Sequence, residues 1–148
     1  MKKKGLCILM ALFSINTLLG GCGDSEKPTK KTETQAKKVD VEDKNVAKIK
    51  KLLSKSLGDN ASINYVADKK QFDLIATSDQ LKQALTKIKD ENTGEKEWQT
   101  LVQAFKQISL QIKAAYKEDY SVRLADPNDT KESLLTVRNG EVIYNFKK

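Results

Sequence analysis

Residues 95–116 read EKEWQTLVQAFKQISLQIKAAY, and this stretch carries the strongest periodic pattern in the chain. Its apolar and small residues recur every three or four positions over about five turns, which places them on one side of an α-helix. The spacing is uninterrupted, so we interpret this side as core rather than as a ligand groove. The predicted buried stripe comprises Trp98, Leu101, Val102, Phe105, Ile108, Ser109, Ile112, Ala115 and Tyr116.

Three short strands are predicted after this helix, at about 120–125, 133–138 and 141–146. Asn139-Gly140 is the strongest short hairpin signal, because a two-residue type I′ turn needs a positive φ at both positions. That turn sets a register in which opposite charges and apolar side chains lie across from each other. The predicted pairs are Arg138 with Glu141, Val137 with Val142, Thr136 with Ile143, and Leu135 with Tyr144.

The segments before residue 95 predict a helix, a hairpin and a second helix. The first helix has apolar residues at helical spacing and ends at Gly58. Residues 62–67 and 72–74 alternate between apolar and polar as paired strands do, and residues 81–88 return to helical spacing. The order α-β-β-α-α-β-β-β predicts an α+β fold, with an antiparallel sheet of about five strands and helices packed on it. The stripe of the first helix comprises Val46, Ile49, Leu53 and Leu57.

The first 22 residues have the three-part pattern of a secretory signal, with positive charge, then an apolar stretch, then small residues. The apolar stretch, residues 6–19, is too short for a comfortable transmembrane helix, which needs ~20 residues. The sequence Leu19-Gly20-Gly21-Cys22 resembles the lipobox of bacterial lipoproteins. The resemblance covers residues 1–22 only. It implies cleavage after Gly21 and a diacylglyceryl anchor on Cys22 at the outer face of the cytoplasmic membrane.

Three parts of the chain follow from this interpretation. Residues 1–21 are a cleaved lipoprotein signal peptide, residues 22–40 are the lipidated cysteine with a flexible polar tether, and residues 41–148 are a single α+β domain. The tether is predicted because residues 23–40 contain almost nothing apolar to offset the entropy of ordering. The lysine-rich composition favours a Gram-positive source.

Composition excludes several kinds of chemistry. Both cysteines lie in the first 22 residues and the chain has no histidine, which excludes Cys–His and Ser–His–Asp catalysis and thiolate or histidine metal sites in the mature domain. Without Lys2, Lys3 and Lys4 the chain has 27 − 3 = 24 basic against 20 acidic residues, too mild an excess to predict a nucleic-acid partner. We therefore predict no catalytic residue, no metal and no cofactor. A carboxylate pair that hydrolyses glycosides stays as a weaker alternative.

Two surfaces are candidates for contact with a partner. The first is a basic stripe on the first helix, opposite its apolar stripe, which could rest on anionic headgroups or wall polymers; the alternative is an ordinary solvated helix face. The second is the sheet face away from the core, where apolar residues would be rimmed by arginine; the alternative is that a helix covers it. The stripe comprises Lys44, Lys48, Lys51 and Lys55. The sheet face comprises Val66, Ile75, Arg123, Leu134, Arg138 and Ile143, with Asn145 beside them.

These patterns together predict a membrane-anchored extracytoplasmic lipoprotein that presents a small non-catalytic binding domain at the cell surface. Its expected partner, besides the membrane, is a protein or an envelope polymer. The alternative is a structural or assembly accessory of a membrane or envelope complex.

Overall fold

The computed structural model describes residues 36–91 and 93–148, with side chains from Lys44 onward. The predicted signal peptide and Cys22 lie outside the described residues. Helix α1 begins at Ala36, so residues 36–40 are helical and the prediction that the flexible tether extends to Asp40 is wrong. The α+β class and the order of elements are confirmed. The elements are α1 Ala36–Leu57, β1 Ala61–Val66, β2 Gln71–Ala76, α2 Asp79–Asp90, α3 Glu95–Tyr116, β3 Ser121–Ala125, β4 Ser133–Arg138 and β5 Glu141–Asn145.

The five strands form one sheet in the order β1-β2-β3-β4-β5. Three neighbouring pairs are antiparallel, but β2 and β3 are parallel, so the sheet is mixed rather than purely antiparallel. The parallel pair arises because α2 and α3 together carry the chain back along the sheet before β3 begins. A parallel neighbour needs such a crossover, whereas two adjacent antiparallel strands need only a turn.

The hydrophobic core lies between one face of the sheet and all three helices. The helices contribute their predicted stripes, and the sheet contributes alternate residues of its central strands, such as Phe72, Val122 and Val137. The predicted α3 stripe is buried from Trp98 to Ile112, while Ala115 is exposed and Tyr116 is half-buried. Helices on a single face leave the other sheet face without a helical cover in the described part of the chain.

The hairpin of β4 and β5 forms around the predicted turn, since Asn139 and Gly140 both have positive φ, at 52° and 79°. Two of the four predicted pairs are correct, Arg138 with Glu141 and Val137 with Val142. A bulge then shifts the register, so that Thr136 pairs with Tyr144 and Leu135 with Asn145. The other two predicted pairs are wrong because Ile143 is an extra residue in β5, and a bulge breaks the alternation that follows it.

Candidate functional site

The sheet face away from the helices is uncovered, but it is not the apolar patch that the sequence predicts. Ser62 and Asn64 on β1 are exposed, and Gln71, Asp73 and Thr136 of the inner strands are half-buried. Of the six predicted partner-binding residues, two are exposed, two are half-buried, one is bonded internally and one is in the core. The exposed residues are Arg138 and Ile143, the half-buried residues are Val66 and Ile75, the bonded residue is Arg123, and the core residue is Leu134.

Leu134 corrects the prediction most directly, because its side chain is only 2% exposed and belongs to the core. The register between β3 and β4 shifts between Leu124 and Ala125, so that Ala125 pairs with Ser133 and Leu134 is the extra residue. A bulged residue does not obey the alternation of a regular strand. The assignment of Leu134 to the outer face, which counted every second residue, is therefore wrong.

Arg123 does lie on the uncovered face, but its guanidinium is occupied by the protein itself. Its Nη1 lies 3.0 Å from Oδ2 of Asp73 on the neighbouring strand. Its Nη2 donates to the carbonyl oxygens of Thr130, Lys131 and Glu132, at 2.8, 2.8 and 2.7 Å. Arg123 thus holds the β3–β4 loop against the sheet, which corrects its predicted role as a partner contact.

The same loop contains a buried carboxylate, Asp126, whose side chain is 1% exposed. It accepts hydrogen bonds from the Lys89 ammonium on α2 and from the backbone N–H of Asn128, the latter at 2.8 Å. Burial alone would raise the pKa of Asp126, but these hydrogen bonds outweigh burial and lower the pKa below its usual value. The hydrogen bond to Asp126 in turn raises the pKa of Lys89. The pair fastens the loop to α2.

Among the described residues, four large apolar side chains are exposed; one, Leu52, lies on α1, and the other three lie on or beside β5, at the edge of the sheet. Ile143 and Tyr144 are 58% and 47% exposed, and Leu110 on α3 is also exposed. Leu110 lies so close over the hairpin turn that a Cβ added at Gly140 would be 2.5 Å from Leu110 Cγ. We name these three residues, together with the exposed Arg138, the hairpin edge. Among the described residues β5 pairs only with β4, so the other side of the strand carries backbone groups without a strand partner.

Hydrogen bonds to α3 fix strand β5 near both of its ends. At the turn, the N–H of Gly140 donates to Ser109 Oγ at 3.1 Å. At the other end, Trp98 Nε1 donates to Asn145 Oδ1 at 3.1 Å. Strand β5 is therefore presented in a defined position rather than as a loose flap, and a rigid frame lowers the entropy that a binding surface loses on contact.

The turn has a further support in Asp119, which follows α3. Its Oδ1 accepts a hydrogen bond from the Lys113 ammonium and, at 2.9 Å, one from Asn139 Nδ2. The bond from Lys113 and then the bond from Asn139 lower the pKa of Asp119, because both bonds favour the charged carboxylate.

Sequence reasoning missed two members of the hairpin edge, Leu110 and Tyr144. Leu110 lies outside the buried stripe of α3, so its exposure was readable from the same helical spacing that identified the core. Tyr144 carried no such signal, because its predicted partner, Leu135, placed it in the core. Only the bulge at Ile143 turns Tyr144 to the uncovered face, where it lies opposite Thr136.

The basic stripe of α1 is arranged as predicted. Lys44, Lys48, Lys51 and Lys55 are all exposed, while the apolar stripe of the same helix is buried against the sheet. An open groove of about 500 Å³ lies beside it, between α1 and the start of β1, and Lys50, Ser54 and Ser62 are among the residues that line it. Among the described residues, no group of three potential metal ligands lies close enough together to hold one ion.

No helix within 36–91 and 93–148 combines the length and the apolar character needed to cross a bilayer. Comparison of the chain with protein-family models, curated proteins and solved structures finds no match.

Proposed function

We propose that this protein is a bacterial lipoprotein, held at the outer face of the membrane through Cys22, whose folded domain binds a partner without catalysing a reaction. The hairpin edge is the binding surface in this proposal. The lipobox-like sequence Leu19-Gly20-Gly21-Cys22 supports the anchor. The observation that carries the binding function is the coincidence of exposed apolar side chains, an exposed arginine and an unpaired strand edge on one rigid hairpin.

Several physical features favour recognition of a protein at this surface. An edge strand can accept an extended segment through backbone hydrogen bonds, which give affinity, while the side chains along the strand give specificity. Tyrosine and arginine are enriched among the residues that dominate binding energy at protein interfaces. The hairpin edge provides Tyr144 and Arg138 with Ile143 beside them, within a few residues of chain.

The anchor predicts the mass of the mature protein. Protein purified from the membrane fraction of its native host should begin at Cys22 and carry the added mass of a diacylglyceryl group, with or without a further acyl chain. A Cys22→Ser variant should lose that added mass and should no longer be processed after Gly21. An unmodified thiol at position 22, or a mature N-terminus elsewhere, would overturn the proposed anchor.

The binding surface predicts where a partner cross-links in living cells. A photoreactive amino acid at position 143 should give an adduct with another protein, because that side chain is 58% exposed on an edge strand of the sheet. The matched control is the same probe at Asn64, an exposed position on β1 at the opposite edge. A Tyr144→Ala change made with the probe at position 143 should weaken the adduct.

The size of the adduct separates the two leading functions. A heterologous protein, captured at position 143 and not at position 64, supports the binding domain. An adduct of twice the chain mass supports an accessory that assembles with itself, which the unpaired edge of β5 also permits. Equal cross-linking at the two positions, or none at position 143, contradicts a binding role for the hairpin edge.

A further inference from the structure

We infer that helix α1 docks on anionic phospholipid headgroups through Lys44, Lys48, Lys51 and Lys55, which we call the basic face. Docking would turn the helical side of the domain toward the membrane and the uncovered sheet face, with Ile143 and Tyr144, away from it. This inference rests on the proposed lipid anchor and adds an orientation to it. The chemistry recognised is a planar array of negatively charged phosphates.

The geometry of the basic face suits a planar surface. At about 100° per residue the four lysines fall within an arc of about 60°, and from Lys44 to Lys55 they extend over about 17 Å of helix. The opposite side of α1 carries Val46, Ile49 and Leu53, which are buried in the core. All four ammonium groups can therefore reach one plane at once while the helix stays packed on its sheet.

The middle of the basic face carries positive charge without nearby acidic residues along the helix. The sequence has no acidic residue between Asp43 and Asp59, so the Lys48 and Lys51 side chains have no acidic neighbour within four positions along the helix. Lysines three or four positions apart on a helix repel each other. An anionic surface would relieve that repulsion, and basic residues close to a negatively charged leaflet are attracted to it additively.

The proposed anchor brings this face to a membrane rather than to a distant polymer. The chain from Cys22 to Ala36 is 14 residue steps long and spans at most about 50 Å when fully extended. Helix α1 is the first described element after the anchor. An anchored chain therefore keeps the basic face close to the headgroups, where the local concentration of negative charge is highest.

The arrangement of the helices on the sheet determines which side of the docked domain faces the membrane. Helix α1 packs against β1, which is one edge strand, and the hairpin edge lies on β5, the opposite edge strand. Strands are spaced by about 4.8 Å, so four spacings separate the two edges by about 19 Å. The basic face points away from the core, and the core lies between α1 and the sheet, so with α1 on the membrane the uncovered sheet face, which carries Ile143 and Tyr144, points away from it.

The test uses the lipidated mature protein reconstituted in vesicles. The thiol of Cys22 is consumed by acylation, so an Ala47→Cys change provides a single site for a fluorophore on the exposed side of α1. Quenching by a headgroup-linked quencher is measured in phosphatidylcholine vesicles with and without phosphatidylglycerol. A second protein carries the fluorophore through Ile143→Cys, at the far edge of the sheet.

Docking predicts strong quenching at position 47 in the anionic vesicles, weak quenching in the neutral ones, and weak quenching at position 143 in both. High salt should abolish the difference, because the Debye length falls to about 3 Å at 1 M. Each Lys→Gln change in the basic face should lower the ratio of docked to undocked protein about fivefold. A matched variant with Lys69, Lys87, Lys96 and Lys131 changed to Gln has the same net charge and should dock normally, since these four exposed lysines lie elsewhere.

Equal quenching in neutral and anionic vesicles would overturn the inference. So would an equal loss of docking in the control variant and in a variant with all four basic-face lysines changed to Gln. Binding to a purified anionic wall polymer but not to vesicles, with the same lysine dependence, would also overturn it. The anchor is measured separately, by the intact mass of the protein. If the acyl group is absent, the proposed function fails. Docking is then still tested by measuring whether the same chain floats with the anionic vesicles and not with the neutral ones.

Discussion

Replacing Trp98 with Ala should lower the free energy of unfolding by about 3–5 kcal/mol, the largest loss expected from a single change in this domain. The Trp98 side chain is 0% exposed, and its ring packs edge-on against Phe146 with the centroids 4.8 Å apart. The change removes that contact, opens a cavity in the core and leaves Asn145 without its Trp98 donor. Thermal unfolding followed by circular dichroism should show a fall in Tm of roughly 10–20 °C.

Two companion variants make this expectation specific. Trp98→Phe loses the indole N–H but keeps an aromatic ring against Phe146. Because the ring contact remains, this change should lower the free energy of unfolding by less than Trp98→Ala. Gln103→Ala changes an exposed residue on the same helix and should alter stability by less than about 0.5 kcal/mol. If Trp98→Ala were no more destabilising than Gln103→Ala, the packing of α3 against the hairpin would be wrong.

Replacing Asp126 with Asn should cost about 2–3 kcal/mol at neutral pH. The change removes the charge that binds the Lys89 ammonium but leaves an amide oxygen to accept the hydrogen bond from the Asn128 backbone. Asp126→Ala loses both bonds and should cost more. The loss stays below that of a fully buried ion pair, because Lys89 is partly exposed and its ammonium can regain water.

The effect of Asp126→Asn should also depend on pH, with a defined sign. The pKa of Asp126 is lowered in the folded state, so the ionised carboxylate stabilises the fold above its ordinary pKa of ~4. That contribution is lost as the pH falls through the lowered value. Denaturant unfolding should therefore show the largest difference in free energy of unfolding between the native protein and the variant near pH 7. The difference should become smaller below pH ~4.

Asp129→Asn is the matched control for this prediction. Asp129 is an exposed carboxylate in the same loop and accepts a hydrogen bond from the Lys131 N–H, which an amide oxygen can also accept. It should have little effect on stability at any pH. If the difference in free energy of unfolding between the native protein and Asp126→Asn stayed constant or widened in acid, the carboxylate would not be stabilised in the way its contacts indicate.

The α+β class and the order of helices and strands were predictable because they depend on local periodicity. The stripe of α3 repeats every three to four residues from Trp98 to Ile112, and each of those positions is buried as predicted. The turn at Asn139-Gly140 was equally local, since only a few residue types adopt positive φ without strain. Exposure of the four lysines on α1 followed from the same periodicity.

The arrangement of the sheet was not predictable in the same way. Nothing in the sequence of β2 or β3 states that they pair in parallel, because that pairing depends on how α2 and α3 pack between them. The bulges at Leu134 and Ile143 were also invisible, since a strand with one extra residue shows the same alternating pattern over short stretches. Each bulge reversed the assignment of at least one residue to a sheet face.

The sequence by itself therefore determined the elements, the core stripes of the helices, the lipobox-like residues that end at Cys22 and the absence of histidine from the chain. The tertiary structure alone decided which surface is exposed. It buried Leu134, occupied Arg123 with the β3–β4 loop, and brought Leu110, Ile143 and Tyr144 to one edge. The physical reason is the distance along the chain over which each effect acts. Periodicity and turn preference act between residues a few positions apart, whereas strand pairing, bulges and loop closure depend on contacts between residues far apart in the chain.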